Sequence, residues 1–269
     1  MLIHNPILTG SVVVNGQIDK IAVGSGSIAS GTYASVAGGQ SNLASGNCSF
    51  VGGGQLNTAS GTYAFIGGGR CNTAVGTCST ISGGYKNIAC TKSNVGGGSQ
   101  NTSSGTYSTV GGGRVNTASG NCSVVAGGNQ NTSSGNYSAV LGGRFNLATS
   151  CATVGGGQFN TGSGGASFIG GGVNNIASAS CSSVVGGQQN TGSGTWSSVG
   201  GGGCNLALGS TAHIGGGMKN SACANDSTIS GGYQNTVFIT GNISGILSGF
   251  RNCISGCHSA IVGGKDNVV

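Results

Sequence analysis

GNCSFVGGGQLNTAS (residues 46–60) is followed without a gap by GTYAFIGGGRCNTAV (61–75), and the two are variants of one unit. An Asn recurs at 42, 57, 72, 87, 101, 116, 131, 146, 160, 175, 190, 205, 220, 235, 252 and 267, with Ser27 in the same column. Twelve of the intervals are 15 residues, two are 14 and one is 17. A chain written in one short unit about seventeen times folds as an array, because no single unit can bury a core by itself.

Each unit has the same internal order. Two places after the Asn stands a small residue, as at Ala44, Ala59 and Ala74, and four places after it a Gly, as at Gly46, Gly61 and Gly76. Nine places after it comes Val or Ile, as at Val51, Ile66, Ile81 and Val110, and two or three glycines then lead to the next Asn. The glycines forbid a helix, since each weakens one by about 1 kcal/mol relative to Ala. The unit is also far shorter than the roughly 40 residues of a propeller blade. The pattern predicts two short strands per unit, with turns at the Gly clusters where positive φ is free of steric strain. Successive units stack as coils of an all-β parallel solenoid, with amide ladders along the Asn column and an apolar stripe along the Val/Ile column.

Composition limits the partners. Gly is 60 of 269 residues and Pro is 1, and the glycines come in pairs and triples, which is not the collagen pattern. Nine Lys or Arg against three acidic residues give a net charge of +6, too few charges for a nucleic-acid groove or an ordinary disordered chain. Arg70, Arg114 and Arg144 alternate with Gln40, Gln55, Gln158 and Gln188 two places before the Asn, and so read as a solvated ladder. The opening MLIHNPILTG has no signal-peptide form, and no stretch is long enough to span a membrane.

Residues 1–20 do not fit the repeat; Val12, Val13, Val14 and Ile18 point to an N-terminal cap or attachment segment, and the array runs over residues 21–269. From Ser221 the pattern loosens, and the 17-residue unit carries Val237, Phe238 and Ile239. The sequence stops two residues after Asn267, inside a unit, and the expectation is that a partner covers that end or that a segment was removed from it.

No catalytic, cofactor-binding or metal-binding residues are assigned. His4, His213 and His258 are scattered, Asp19, Asp226 and Asp266 occupy unlike positions, and the eleven cysteines form no CxxC pair. The chain is expected not to be an enzyme.

One Val or Ile and one Ala per unit, with Leu43, Ile88, Leu147 or Ile176 in some, make a thin core for the entropy that ordering a unit consumes. A second face buried against sister chains would supply the difference. Six places after the Asn, Tyr33, Cys48, Tyr63, Cys78, Tyr107, Cys122 and Tyr137 alternate large and small, as in interdigitating layers. The cysteines are read as reduced packing thiols.

Units such as SGTYAFIGGGRCNTAVGTCSTISGG (60–84) resemble the YadA-like head repeats of trimeric autotransporter adhesins and related repeats of phage and giant-virus fibre proteins. The resemblance implies a left-handed parallel β-roll, three of which pack side by side as a homotrimer. It makes Val51, Ile66, Ile81 and Val110 core and Gly46, Gly61, Gly76 and Gly105 turns. It further implies a fibre or spike head, on a virion surface or an extracellular fibre, attaching to a host-surface glycan or protein, with no nucleic acid and no membrane insertion. Viral members of the group often carry a self-cleaving C-terminal chaperone, which would account for the mid-unit end. Two other readings are a capsid component without ligand and an ice-binding solenoid built on Thr58, Thr73, Thr102, Thr117, Thr132, Thr161 and Thr191. Leu43, Ile88, Leu147 and Leu206 interrupt that Thr column and imply that it points inward.

Overall fold

The computed structural model describes residues 19–269. The cap read over residues 1–20 lies outside them apart from Asp19 and Lys20, which are exposed.

Each sequence unit forms one coil, and every strand is two residues long. Strands such as Leu43–Ala44, Thr58–Ala59 and Thr73–Ala74, just after the Asn, build a 16-stranded sheet. Strands such as Phe50–Val51, Phe65–Ile66 and Thr80–Ile81 build a 17-stranded one. Pairing is parallel and in register, with Leu43 beside Thr58, Ala44 beside Ala59 and Val51 beside Ile66. A third ladder of single-residue bridges runs through Gln40, Gln55, Arg70 and Tyr85. The result is a parallel β-solenoid, and seventeen strands at the sheet spacing span about 80 Å.

Two-residue strands suffice because alternation needs only one residue in and one out. In Thr58–Ala59 the Ala is fully buried and the Thr faces outward, half-buried; in Phe65–Ile66 the Ile is buried and the Phe exposed. Two expectations are thereby corrected. The Thr column points outward, because the adjacent Ala column takes the core position. Leu43, Ile88, Leu147 and Ile176 stand in that outward column, with Ile88 and Ile176 each 41 % exposed, so they add nothing to the core. The interior is thinner in hydrocarbon than the sequence reading supposed: Val or Ile, Ala, and two columns of buried Asn and Ser.

Glycine is obligatory at two corners. A Cβ on Gly46 would lie 2.0 Å from the carbonyl oxygen of Gly61 in the next coil, and one on Gly54, at φ +86°, 2.0 Å from that of Gly69. Two further columns are also left-handed but carry side chains: Leu56 (φ 56°), Cys71 (58°) and Lys86 (53°) before the Asn, and Cys48 (55°), Tyr63 (58°) and Cys78 (57°) after it. Such residues cost about 1–2 kcal/mol each. The stack holds them there: the Leu56 amide donates to the Gln40 carbonyl at 3.0 Å and the Tyr63 amide to that of Asn47 at 2.8 Å. The sequence reading assigned positive φ to glycine alone, and these columns show no glycine signal.

The three changes of interval along the Asn column fall at one corner, between the strand after the Asn and the following strand. The 14-residue units shorten the stretches from Ala89 to Asn94 and from Ala148 to Thr153, and the 17-residue unit lengthens that from Val237 to Gly245. The ladders pass these points without slipping, with Thr80 beside Asn94, Ala139 beside Thr153 and Thr228 beside Gly245.

Candidate functional surfaces

The buried asparagines are fully committed to the fold. The Asn57 side-chain oxygen accepts the Asn72 backbone N–H at 3.0 Å and its Nδ2 at 3.1 Å. Asn57 Nδ2 donates to the carbonyls of Gly53 at 3.0 Å and Gly69 at 2.8 Å. Nothing is left over for a ligand, and the arrangement repeats from coil to coil. The inward serines are used similarly: Ser79 and Ser108 donate to the carbonyls of Gly76 and Gly105, both at 2.7 Å. Ser49, Ser123, Ser167 and Ser197 leave their hydroxyls without a partner.

Function therefore belongs to the outside, which has three edges. On the first, Tyr33, Tyr63, Tyr107, Tyr137 and Trp196 project from left-handed corners and are 54–69 % exposed. Cys48, Cys78, Cys122 and Cys181 stand between them, and all eleven cysteines are unpaired. Lys92 takes the same corner of a shortened coil and donates to the Tyr107 hydroxyl at 3.0 Å, which raises its pKa.

The second edge is bare. At Gly53, Gly68, Gly112, Gly127 and Gly142, in the Gly clusters, an added Cβ would meet nothing within 4 Å. None of these five has a left-handed φ. Their carbonyls receive the Asn side chains, as Gly112 does from Asn116 at 2.9 Å, but that requires no particular residue type. Nothing within the chain demands glycine here.

The third edge is basic. Arg70, Lys86, Arg114, Arg144, Lys219, Arg251 and Lys265, seven of the nine cations, fall one or two places before the repeat Asn, and all are exposed. Aromatic rings share the edge: Phe145 and Phe159 stack at 4.9 Å and Tyr233 and Phe250 at 5.4 Å, with Arg144 4.6 Å above Phe145. Arg251 grips Asp266 of the next coil through Nε at 2.7 Å and Nη2 at 2.9 Å. That bond holds the Asp266 carboxyl below its usual range and raises the guanidinium. The sequence reading noted the arginines of this column but missed that the lysines and aromatics join them, because register between neighbouring columns appears only once the coils are stacked.

Groups with reactive potential stay apart. His213 Nδ1 lies 2.7 Å from the Ser198 hydroxyl on the open outward face, a pairing that the 15-residue stacking creates. No carboxylate bonds the other ring nitrogen, so nothing orients the imidazole as a base. His258 stands elsewhere, and His4 lies outside the described residues. Among the described residues no three His, Cys, Asp or Glu side chains gather as a metal site. No helix among them is long and apolar enough to cross a membrane. No protein-family model matches the sequence, and no curated protein matches it.

Proposed function

We propose that the chain is a structural fibre or spike-head segment, without enzymatic activity, whose outward columns attach it to a surface. One observation carries the reading: both sheets keep parallel register through the shortened and lengthened coils. Every outward column is thereby a straight array along the rod, and such an array can sum many weak contacts by avidity. A virion surface or an extracellular fibre is the setting that the resemblance to adhesin heads and viral fibres favours.

In this reading the coils form a left-handed roll, and three rolls pack side by side. The Tyr edge of one chain lies against the bare Gly edge of the next. Exposed aromatics on one edge and an unexplained lack of side chains on another are the two halves of a heterologous contact, which closes into a ring when the rotation permits. Light scattering on the purified protein tests this. The expected mass is three times the 25.6 kDa chain, falling to one chain when Tyr63, Tyr107 and Tyr137 are replaced by Ser. A stable monomeric parent would refute the assembly.

The outward Thr column gives some support to an ice-binding rod. Ile88, Leu147, Ile176 and Leu206 break its lattice, and absence of ice-recrystallisation inhibition would remove that reading.

A further inference from the structure

We infer that the basic edge binds a linear acidic polysaccharide lying along the rod, with Arg70, Lys86, Arg114 and Arg144 as its anionic-group contacts. This rests on the reading of the rod as a surface-binding fibre and names the chemistry of the surface. The first support is the distribution of charge. Charges that served only to keep the rod in water would be spread over all outward columns, yet the outward strand columns carry no Lys or Arg at all. Among the described residues Arg70, Lys86, Arg114 and Arg144 make no ion pair, so their charge is free for a partner.

Spacing selects the partner. The bridge ladder runs Arg70, Tyr85, Ser99, Arg114, Asn129, Arg144, placing the arginines three coils and then two coils apart. At the sheet spacing these steps are about 14 and 10 Å. A polymer with one carboxylate for every two sugar rings presents acids at that order of separation. Duplex nucleic acid carries a charge every ~1.7 Å and would leave most of its phosphates unmatched.

The groove beside the cations fits sugar better than bases. Cys71, Thr73, Lys86, Ile88, Gln100 and Thr102 line it, offering hydroxyls and an amide to a hydroxyl-rich chain. The aromatic faces are already occupied: Lys86 sits 5.2 Å over Tyr85, Arg144 4.6 Å over Phe145, and Phe159 stacks on Phe145. A single-stranded nucleic acid needs such faces free for its bases.

The test is titration of the intact protein with a hyaluronan oligosaccharide at low salt. Neutral dextran serves as the control and oligothymidylate as the competitor. The variant R70Q/R114Q/R144Q introduces the residue that the same column already carries at Gln40, Gln55 and Gln158, so the fold is kept. The expected result is salt-sensitive binding to hyaluronan, weakened at least about tenfold in the triple variant and unchanged in K92Q on the Tyr edge. Absence of hyaluronan binding, equal binding by the triple variant, or tighter binding of oligothymidylate would each overturn the inference. The chain mass by light scattering would be untouched by any of those results, so a failure here is distinguishable from failure of the fibre reading.

Discussion

Asn116 donates its backbone N–H to the side-chain oxygen of Asn101, one coil away, at 2.9 Å, while its own side-chain oxygen accepts from Asn131 at 2.9 Å. The side chain thus acts as a piece of backbone, closing a ladder where the main chain turns a corner. With so little hydrocarbon inside, this polar spine is what makes a coil stick to its neighbours.

Replacing Asn116 by Ala would strand the Gly112 carbonyl and the Asn131 N–H, both partners of that one side chain, while the Gly128 carbonyl would keep only the Arg114 N–H. At about 1–3 kcal/mol for each unsatisfied buried group, the expected loss is about 2 kcal/mol or more. Hydrogen exchange should show it first as loss of amide protection in the coils on either side. Unchanged protection would mean that the spine does not hold the stack.

Two glycines of one coil make opposite predictions. A Cβ on Gly105 would lie 2.0 Å from the Gly120 carbonyl oxygen, whereas one on Gly112 meets nothing within 4 Å. Gly105→Ala should cost about 4 kcal/mol or more, or break the rod at that coil. Gly112→Ala should leave the unfolding of the separated chain within about 0.5 kcal/mol of the parent. In the assembled form the same substitution should weaken chain association, read as a rise in the concentration at which light scattering reports single chains.

Gln130 is exposed and left-handed at φ 55°. Gln130→Gly relieves that strain but loosens the unfolded chain. The balance predicts unchanged stability or a gain of up to about 1 kcal/mol in urea unfolding. A clear loss would show that the side chain contributes contacts that outweigh its strain.

Arg251 holds the Asp266 carboxylate and so depresses its pKa below the usual 3.8. A depressed acid stabilises the fold above its unfolded pKa and loses that contribution as pH falls through the lower folded value. Amide protection in the coil from Asn252 to Asn267 should therefore drop below about pH 3.8 in the parent. Asp266→Asn should abolish this step while other coils follow the parent. Both groups are exposed, so added salt should shrink the effect.

The repeat made much of this architecture readable. The recurrence of Asn and the Gly clusters fixed the coil length, and Val51, Ile66 and Ile81 lie inside where periodicity put them. The facing of the strand just after the Asn was misread, because Leu43 and Ile88 look like core by type; only the choice of Ala44 and Ala89 for the tight interior turns them outward. The left-handed corners were invisible for a different reason: their φ comes from hydrogen bonds between coils, which accept Tyr, Cys, Leu or Gln alike. The basic edge was partly legible through its arginines. Lys86 and Lys219 sit one place later than Arg70, Arg114 and Arg144, and their kinship emerges only when both columns turn the same corner.

The central claim is that each unit is one coil and that the coils stack along a single axis. Small-angle X-ray scattering of the purified protein tests it most directly. The account predicts an elongated particle with a maximum dimension of at least about 80 Å, which side-by-side assembly would thicken without shortening. A compact particle with the radius of gyration of a globular chain of this length, about 18 Å, would contradict it.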